Sequence, residues 1–361
     1  MDELTLIGAP GTNKVMAGEL SRLVGRALSG ERLPQPRKSG TGGLTYPWDD
    51  EVARVAATYH RTCARVLRDR LSSTAARLEP LYDDLVEQVA ASADWLADGA
   101  TISVQARRVV QFAAGERQIV GTVKNALVDG AARRGAAVRV DPDHADLEIS
   151  VRLHEGTITV AIDLGGPMHM RGYRTNAGPA PLRETMAATL VMLSRHDSRR
   201  EVFLDPMAGS GTIAIEAALM ARAMPVRVGS AAPPLFADTE PVVFANELDP
   251  RMADASRDHA GVAGVGDFVR VRSGDARAID RADLPDGPGV IVCNPPYGER
   301  IGADLETLYA EIGEWLRQFG GWRACFLVAN PNFEDLLGIR PRIKKPLSVH
   351  PLKGYFYLYD L

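Results

Sequence analysis

Four consecutive residues, Asn294-Pro295-Pro296-Tyr297, carry the clearest chemistry in this chain of 361 residues. The run Gly289-Val290-Ile291-Val292-Cys293 just before them is apolar and reads as a buried strand. The four residues therefore sit at the carboxyl end of a strand, where open α/β sheets place their ligands. The Asn294 side-chain oxygen and the carbonyl of Pro295, which has no N–H, form an acceptor pair suited to a planar NH2 group. Tyr297 offers a flat face on which a ring can stack.

A second group of residues points to what would react with that NH2 group. Val202-Phe203-Leu204-Asp205-Pro206-Met207-Ala208-Gly209-Ser210-Gly211-Thr212 reads as a strand, an acid, a glycine-rich turn and a helix start. In dinucleotide folds the first glycine follows the strand directly, because a pyrophosphate rests on the helix N-terminus. Here Asp205 ends the strand and three residues intervene before Gly209. A carboxylate at that place repels pyrophosphate but suits a sulfonium and an amino-acid ammonium. No Gly-Lys-Ser/Thr follows, so the turn is not a P-loop either. The pattern suits S-adenosylmethionine.

Two further strand ends bring acids. Glu247, in Phe244-Ala245-Asn246-Glu247-Leu248-Asp249, can accept both hydroxyls of a ribose, and Asp249 competes with it for that place. Asp275, in Ser273-Gly274-Asp275-Ala276, can accept from an adenine amino group. Each acid alone reads more readily as a helix N-cap or a surface carboxylate. Together they make a cofactor set of Asp205, Met207, Gly209, Gly211, Thr212, Glu247, Asp249, Asp275, Ala276 and Asn294.

The elements that must position these residues follow from hydrophobic periodicity. From residue 171 onward strands and helices alternate: strands at 201–204, 242–245, 268–271, 290–293 and 324–328, and helices from Gly211, Pro250 and Asp304. That alternation predicts a parallel sheet covered on both faces. Runs 340–349 and 355–361 predict an antiparallel hairpin that closes the sheet. Residues 1–70 read as a small α+β unit: an apolar run 4–7, a helix from Lys14 to Leu28, a loop from Leu33 to Gly43, and a helix from Asp49 to Arg68 with acids first and arginines last. Residues 71–170 read as another unit, with a helix from Arg117 to Arg134. Strands 147–154 and 157–162 follow, joined by the tight turn Glu155-Gly156. Arg107, Arg108, Lys124, Arg133, Arg134, Arg139 and Arg152 make this unit locally basic. A solvated face and a phosphate-tracking surface explain that charge equally well.

Composition narrows the alternatives. Hydrophobic content is 45%, charged content 24% and net charge −4, so any contact with a polyanion depends on a local patch. The three cysteines, Cys63, Cys293 and Cys325, have no paired spacing, which argues against a disulfide framework and a zinc site. The histidines form no metal-ligand cluster, and no metal is expected. No apolar run approaches the ~20 residues that span a bilayer, and the N-terminus lacks the basic region of a signal peptide. A cytoplasmic protein without an obligate protein partner is the default expectation.

With these residues in view, the chain resembles the THUMP-domain guanine-N2 RNA methyltransferases, both the large-subunit rRNA enzymes and the related tRNA enzymes. The stretches that carry the resemblance are 205–218, 294–302 and Ala180-Pro181-Leu182-Arg183-Glu184-Thr185. Residues 1–70 look like the N-terminal ferredoxin-like domain of these enzymes. Residues 71–170 look like a THUMP domain, and residues 171–361 like a Rossmann-like class I methyltransferase domain. The resemblance implies S-adenosylmethionine as methyl donor, structured RNA (rRNA or tRNA) as partner, and guanine N2 as acceptor. Asn294, Pro295 and Tyr297 become the catalytic candidates. Arg107, Arg108, Lys124, Arg171 and Arg174 become the RNA-contacting candidates. Arg171, Arg174 and Arg183, at the expected junction of the second and third domains, could instead pair with acids to fix the domain angle. The same four-residue motif serves adenine-N6 and glutamine-amide methyltransferases. A non-catalytic RNA-binding factor that keeps the fold is the other reading, and the methyl-donor acids count against it.

Overall fold

The computed structural model describes residues 2–40, 42–107, 112–175, 182–296, 305–347 and 354–361. In chain order the elements are β1 (Glu3–Ile7), α1 (Asn13–Ala27), β2 (Arg37–Lys38), β3 (Gly43–Pro47), α2 (Asp50–Tyr59), β4 (Arg65–Ser73), α3 (Leu78–Ser92), β5 (Thr101–Arg107), α4 (Glu116–Arg133), β6 (Arg139–Val140), β7 (Leu147–His154) and β8 (Thr157–Asp163). There follow α5 (Glu184–Ser194), β9 (Val202–Asp205), α6 (Thr212–Ala221), β10 (Val243–Glu247), α7 (Pro250–Val262), β11 (Val269–Ser273), β12 (Gly289–Cys293), α8 (Leu305–Leu316), β13 (Arg323–Val328), α9 (Phe333–Leu337), β14 (Ile343–Pro346) and β15 (Tyr355–Asp360).

These elements form two compact units. The first comprises Met1–Gly8, Leu33–Ala57 and Arg65–Pro167. Its eight strands join in one sheet, in the order β2-β3-β1-β4-β8-β7-β5-β6. Leucines and valines of α3 and α4 pack with Ile149, Val151, Ile158 and Val160 of the sheet. A Cβ on Gly130 would fall 2.6 Å from Val89 Cβ, so glycine sets how closely α3 and α4 approach. The β7–β8 hairpin turns at Glu155 and Gly156, both with positive φ (47° and 76°), as a tight two-residue turn requires.

The division expected after residue 70 is not where the chain separates, because β4 runs through it and pairs with β1 on one side and β8 on the other. The helix expected over 49–68 also stops early. α2 ends at Tyr59, and residues 65–73 are a strand whose burial alternates along most of its length. The period of two over these residues follows directly on a helical face, which masks the change of element. The arginines assigned to a helix C-terminus thus belong to a strand. The stretch 33–43, expected as loop, contains β2, and β3, α3, β5 and α5 lie where the sequence predicts no element.

The second unit comprises Ala9–Arg32, Thr58–Ala64 and Met168–Leu361. Its sheet runs β11-β10-β9-β12-β13-β15-β14. Strands β9 to β13 pair in parallel, whereas β15 lies antiparallel to both β13 and β14. This is the class I methyltransferase arrangement, closed by the expected C-terminal hairpin. Apolar side chains of α5 and α6 cover one face, and α8, α9 and a chain of aromatic rings cover the other.

Helix α1 and residues 58–64 belong to this unit because buried ions hold them there. Glu19 of α1 accepts from the Arg61 and Thr62 backbone N–H groups (3.0 and 2.8 Å) and lies 3.3 Å from His60 Nδ1. Burial alone would lower the His60 pKa, but Cys63 and the Glu19 carboxylate raise it to about 9. Glu216 of α6, 0% exposed, accepts from Arg61 Nε (2.7 Å), Arg171 Nε (3.2 Å) and the Tyr173 hydroxyl (3.2 Å). Burial would raise the Glu216 pKa, yet the two guanidiniums hold it below the usual carboxylate value.

Two outcomes follow from these ions. Glu216→Ala leaves two buried guanidiniums without a counter-charge, so chemical denaturation should show the second unit destabilised by about 3–5 kcal/mol. His60 is bound more tightly to its proton when folded. Its contribution is complete below pH 6.5 and lost as pH rises through about 9. Thermal midpoints should fall over that window in the wild type, and a His60→Gln variant should lack that fall.

Candidate functional site

The chain end of β9 fixes the glycine-rich turn. Gly211 caps α6 in the left-handed region (φ 83°), and a Cβ there would overlap the Ser256 hydroxyl. Gly211 N–H donates to Ala208 O (2.9 Å), and Ala208 N–H donates to Asn246 O (2.8 Å). The Asn246 amide donates to both Pro206 O (3.1 Å) and Gly274 O (2.9 Å), tying together the ends of β9, β10 and β11. Below the turn, His259 of α7 faces Ser210 O through Nδ1 (3.1 Å) and receives Thr175 N–H at Nε2 (3.3 Å).

A cavity of about 600 Å³ opens at these strand ends. Its lining includes Pro206, Met207 and Gly209 after β9, Glu247 and Leu248 after β10, and Gly274 to Arg277 after β11. Asn294 and Pro296 after β12, and Thr307, Leu308 and Glu311 of α8, complete it. Glu247 is held from two sides: Oε2 accepts from Gly209 N–H (2.8 Å) and Oε1 from Asp249 N–H (3.0 Å). Each oxygen keeps a further lone pair. Leu248, 69% exposed, gives the cavity an apolar plate beside that carboxylate.

Asp275 is the N-cap of a short 3-10 turn, accepting from Arg277 N–H (2.9 Å). The Arg277 side chain also grips its carboxylate and reaches on to Glu311. The Arg277 hydrogen bonds hold the Asp275 pKa below its ordinary value. Asn294 Oδ1 is buried and has no hydrogen-bond partner among the described residues. The Tyr309 hydroxyl of α8 donates to Pro296 O (2.6 Å) and so anchors the segment after β12.

Asp205 lies outside the lining. It is 0% exposed, and among the described residues only the Met207 backbone offers its carboxylate a hydrogen bond. Burial drives its pKa well above the ordinary value; the Met207 backbone opposes this and the Glu247 carboxylate adds to it.

Of the residues singled out in the sequence, Met207, Gly209, Glu247, Asp275, Ala276 and Asn294 meet at this cavity. Asp249 does not. It is the N-cap of α7, accepting from Arg251 N–H (2.9 Å) and paired with the Arg251 guanidinium (3.0 Å). Thr212 is buried, its hydroxyl taken by Arg174 (2.8 Å). Pro295 is buried beside the cavity-lining Pro296. Tyr297 and Arg108 lie outside the described residues, as does the side chain of Arg107.

The expected RNA contacts change most. Arg171 is 1% exposed and committed to Glu216, Met168 O and Arg61 O, so it offers no surface to a phosphate. Arg174 bonds Leu182 O (2.9 Å) and pairs with Glu184 at 3.4 Å. Both take the acid-pairing alternative. In the first unit, Arg152 pairs with Asp69 and Arg133 with Glu87, while Lys124 lies half-buried on α4. Sequence reasoning missed Leu248, Arg277, Leu308 and Glu311. Leu248 had a signal, as an apolar residue next to a strand-end acid. The α8 residues had none, because only the return of that helix brings them here.

The family model of the RMKL-like methyltransferase domain matches residues 171–354. The chain belongs to that family. A ribosomal RNA large subunit methyltransferase K/L of Aliivibrio salmonicida is 38% identical over 261 residues, covering 63% of this chain and 36% of the relative. This chain thus spans about a third of the length of the curated relatives it matches. A solved structure described as a possible methylase from Clostridium difficile 630 has a TM-score of 0.83 at 25% identity, covering 99% of this chain and 98% of that one. The methyltransferase SMU.472, solved in complex with SAH, has a TM-score of 0.80 at 23% identity, with 99% and 98% covered, and shares the fold. Among the described residues no group of side chains could hold a metal ion, and no helix is long and apolar enough to cross a membrane.

Gly211→Ala tests the turn that frames the cavity. The positive φ and the clash with Ser256 should together cost on the order of 2–4 kcal/mol, read as a lowered denaturation midpoint.

Proposed function

We propose that the chain transfers a methyl group from S-adenosylmethionine to the exocyclic N2 of a guanine in structured RNA, with large-subunit rRNA in the cytoplasm as the target. The observation that carries the reading is the buried, unpartnered Asn294 Oδ1 in the same cavity as Glu247 and Asp275. The named function of the Aliivibrio salmonicida relative supports rRNA, and the THUMP-type resemblance supports guanine N2.

The residues fit the donor. Glu247, fixed by two backbone N–H groups, has lone pairs left for two ribose hydroxyls. Leu248 supplies an apolar surface for a base, and Asp275 an acceptor for its amino group once Arg277 yields one oxygen. Asp205 is a buried carboxylate with no side-chain donor among the described residues, and a nearby cation would favour its charged form. When bound, S-adenosylmethionine supplies an electrophilic methyl group on a cationic sulfur.

The protein's own contribution is positional and electrostatic. The guanine N2 lone pair is delocalised into the ring, which makes it a weak nucleophile. Acceptance of its two N–H bonds by Asn294 Oδ1 and Pro295 O favours a pyramidal nitrogen and aims the lone pair. No strong base is needed before attack, because the proton leaves a cationic product. A base flipped from its stack gives up a few kcal/mol, and stacking on Tyr297 returns ~1–3 kcal/mol. The first unit, in this reading, presents the RNA in the manner of a THUMP domain.

Asn294→Ala should lower methyl transfer to rRNA on the order of 10²–10³-fold while calorimetry finds S-adenosylmethionine affinity within a few-fold. Near-wild-type turnover in this variant would refute the mechanism. Nucleoside mass spectrometry of the product should show N2-methylguanosine, and a methyladenosine in its place would overturn the choice of base.

A further inference from the structure

Two cations from separate elements of the second unit, Lys14 and Arg195, lie within electrostatic range of a third, Lys345. Lys14 opens α1, Arg195 caps α5 at its C-terminus, and Lys345 lies on β14, the edge strand of the sheet. Lys14 and Arg195 are exposed and Lys345 is half-buried. Burial and the nearby charges of Arg195 and Lys14 lower the Lys345 pKa, and among the described residues no carboxylate acts on it. None of the three forms an ion pair with a described residue. The neighbouring cations differ: Lys344 pairs with Glu334, Arg342 with Asp360 and Arg323 with Glu201.

Two features give this cluster more weight than a solvated face. Arg195 holds a left-handed backbone (φ 57°, ψ 33°) at a helix end where glycine is the unstrained choice. An arginine is kept there against backbone preference. The second feature is register. Lys345 pairs with Phe356, Phe356 with Leu327, and Cys293 with Phe326, so Lys345 stands level with Asn294 one residue beyond β12. Three strand spacings of ~4.8 Å separate them, about 14 Å across the sheet. Arg195 extends the charge toward the amino end of the strands, since its carbonyl accepts from Arg323, the first residue of β13.

We propose that Lys14, Arg195 and Lys345 form a phosphate-binding edge of the catalytic unit that grips the RNA backbone beside the target nucleotide. This rests on the RNA reading above and adds a contact surface within the second unit. Unpaired ammonium and guanidinium groups at a sheet edge suit a phosphodiester chain, which needs charge and reach in place of base-edge complementarity.

The test is a filter-binding salt titration of the full chain with rRNA, alongside methyl transfer to the same RNA. The variants are Lys14→Gln/Arg195→Gly/Lys345→Gln combined, Arg195→Gly alone, and Lys344→Gln as a control. The triple variant should raise the RNA Kd at least about tenfold and flatten the salt slope by about two units, with S-adenosylmethionine affinity unchanged. Arg195→Gly should melt at or above the wild-type temperature, because glycine relieves the backbone, yet still flatten the slope. Lys344→Gln should match the wild type. A wild type that methylates rRNA while the triple variant keeps its slope and affinity overturns this inference alone. A wild type that methylates no RNA overturns the reading of function and this inference with it.

Discussion

One buried carboxylate organises the second unit. Glu216 stands one helical turn after Thr212, the first residue of α6, and so on the same side of the helix. It takes hydrogen bonds from Arg61, Arg171 and Tyr173, while Arg174 reaches Thr212. Three pieces of chain distant in sequence (residues 58–64, the stretch 168–174 and α6) are thereby held together. The helix so fixed begins with the glycine-rich turn. A buried ion pair of this kind adds little net stability over an apolar replacement, but losing one partner is costly. Its effect here is to permit one placement of α6, and with it one placement of the turn.

From that turn the cavity is assembled by short-range bonds between strand ends. Asn246 ties the ends of β9, β10 and β11 through its amide, and Glu247 is pinned by the turn it faces. Such preorganisation uses backbone donors that do not have to move when a ligand arrives. Cys293, by contrast, has its pKa pushed up by burial and serves packing, consistent with a reaction that needs no protein nucleophile.

The alternating strands and helices after residue 171 were legible because a parallel sheet covered on both faces writes itself as continuous apolar runs ending in glycine and acids. The Asn-Pro-Pro-Tyr segment and the strand-end acids were legible for the same reason, since each directly follows such a run. The first 70 residues were read less well. Residues 65–73 alternate, but arginines next to a helix hid the change of period. No local signal tells that α1 packs in a different unit from the strand before it. That fact depends on Glu19 finding the Arg61 and Thr62 backbone N–H groups 42 and 43 residues away.

The sequence by itself determined the order of the strand ends that meet at the cavity and carried the reading of a methyl-transfer site, because those depend on residue types next to one another along the chain. Only the tertiary structure showed that Glu247 lines the cavity and Asp249 does not. The two are separated by a single residue, and a helix N-cap claims the second while the turn of another strand claims the first. It likewise removed Arg171 from the candidate RNA surface and brought Lys14, Arg195 and Lys345 together. A charge's role is set by what stands opposite it, and for these residues the opposite group, or the lack of one, comes from elsewhere in the fold.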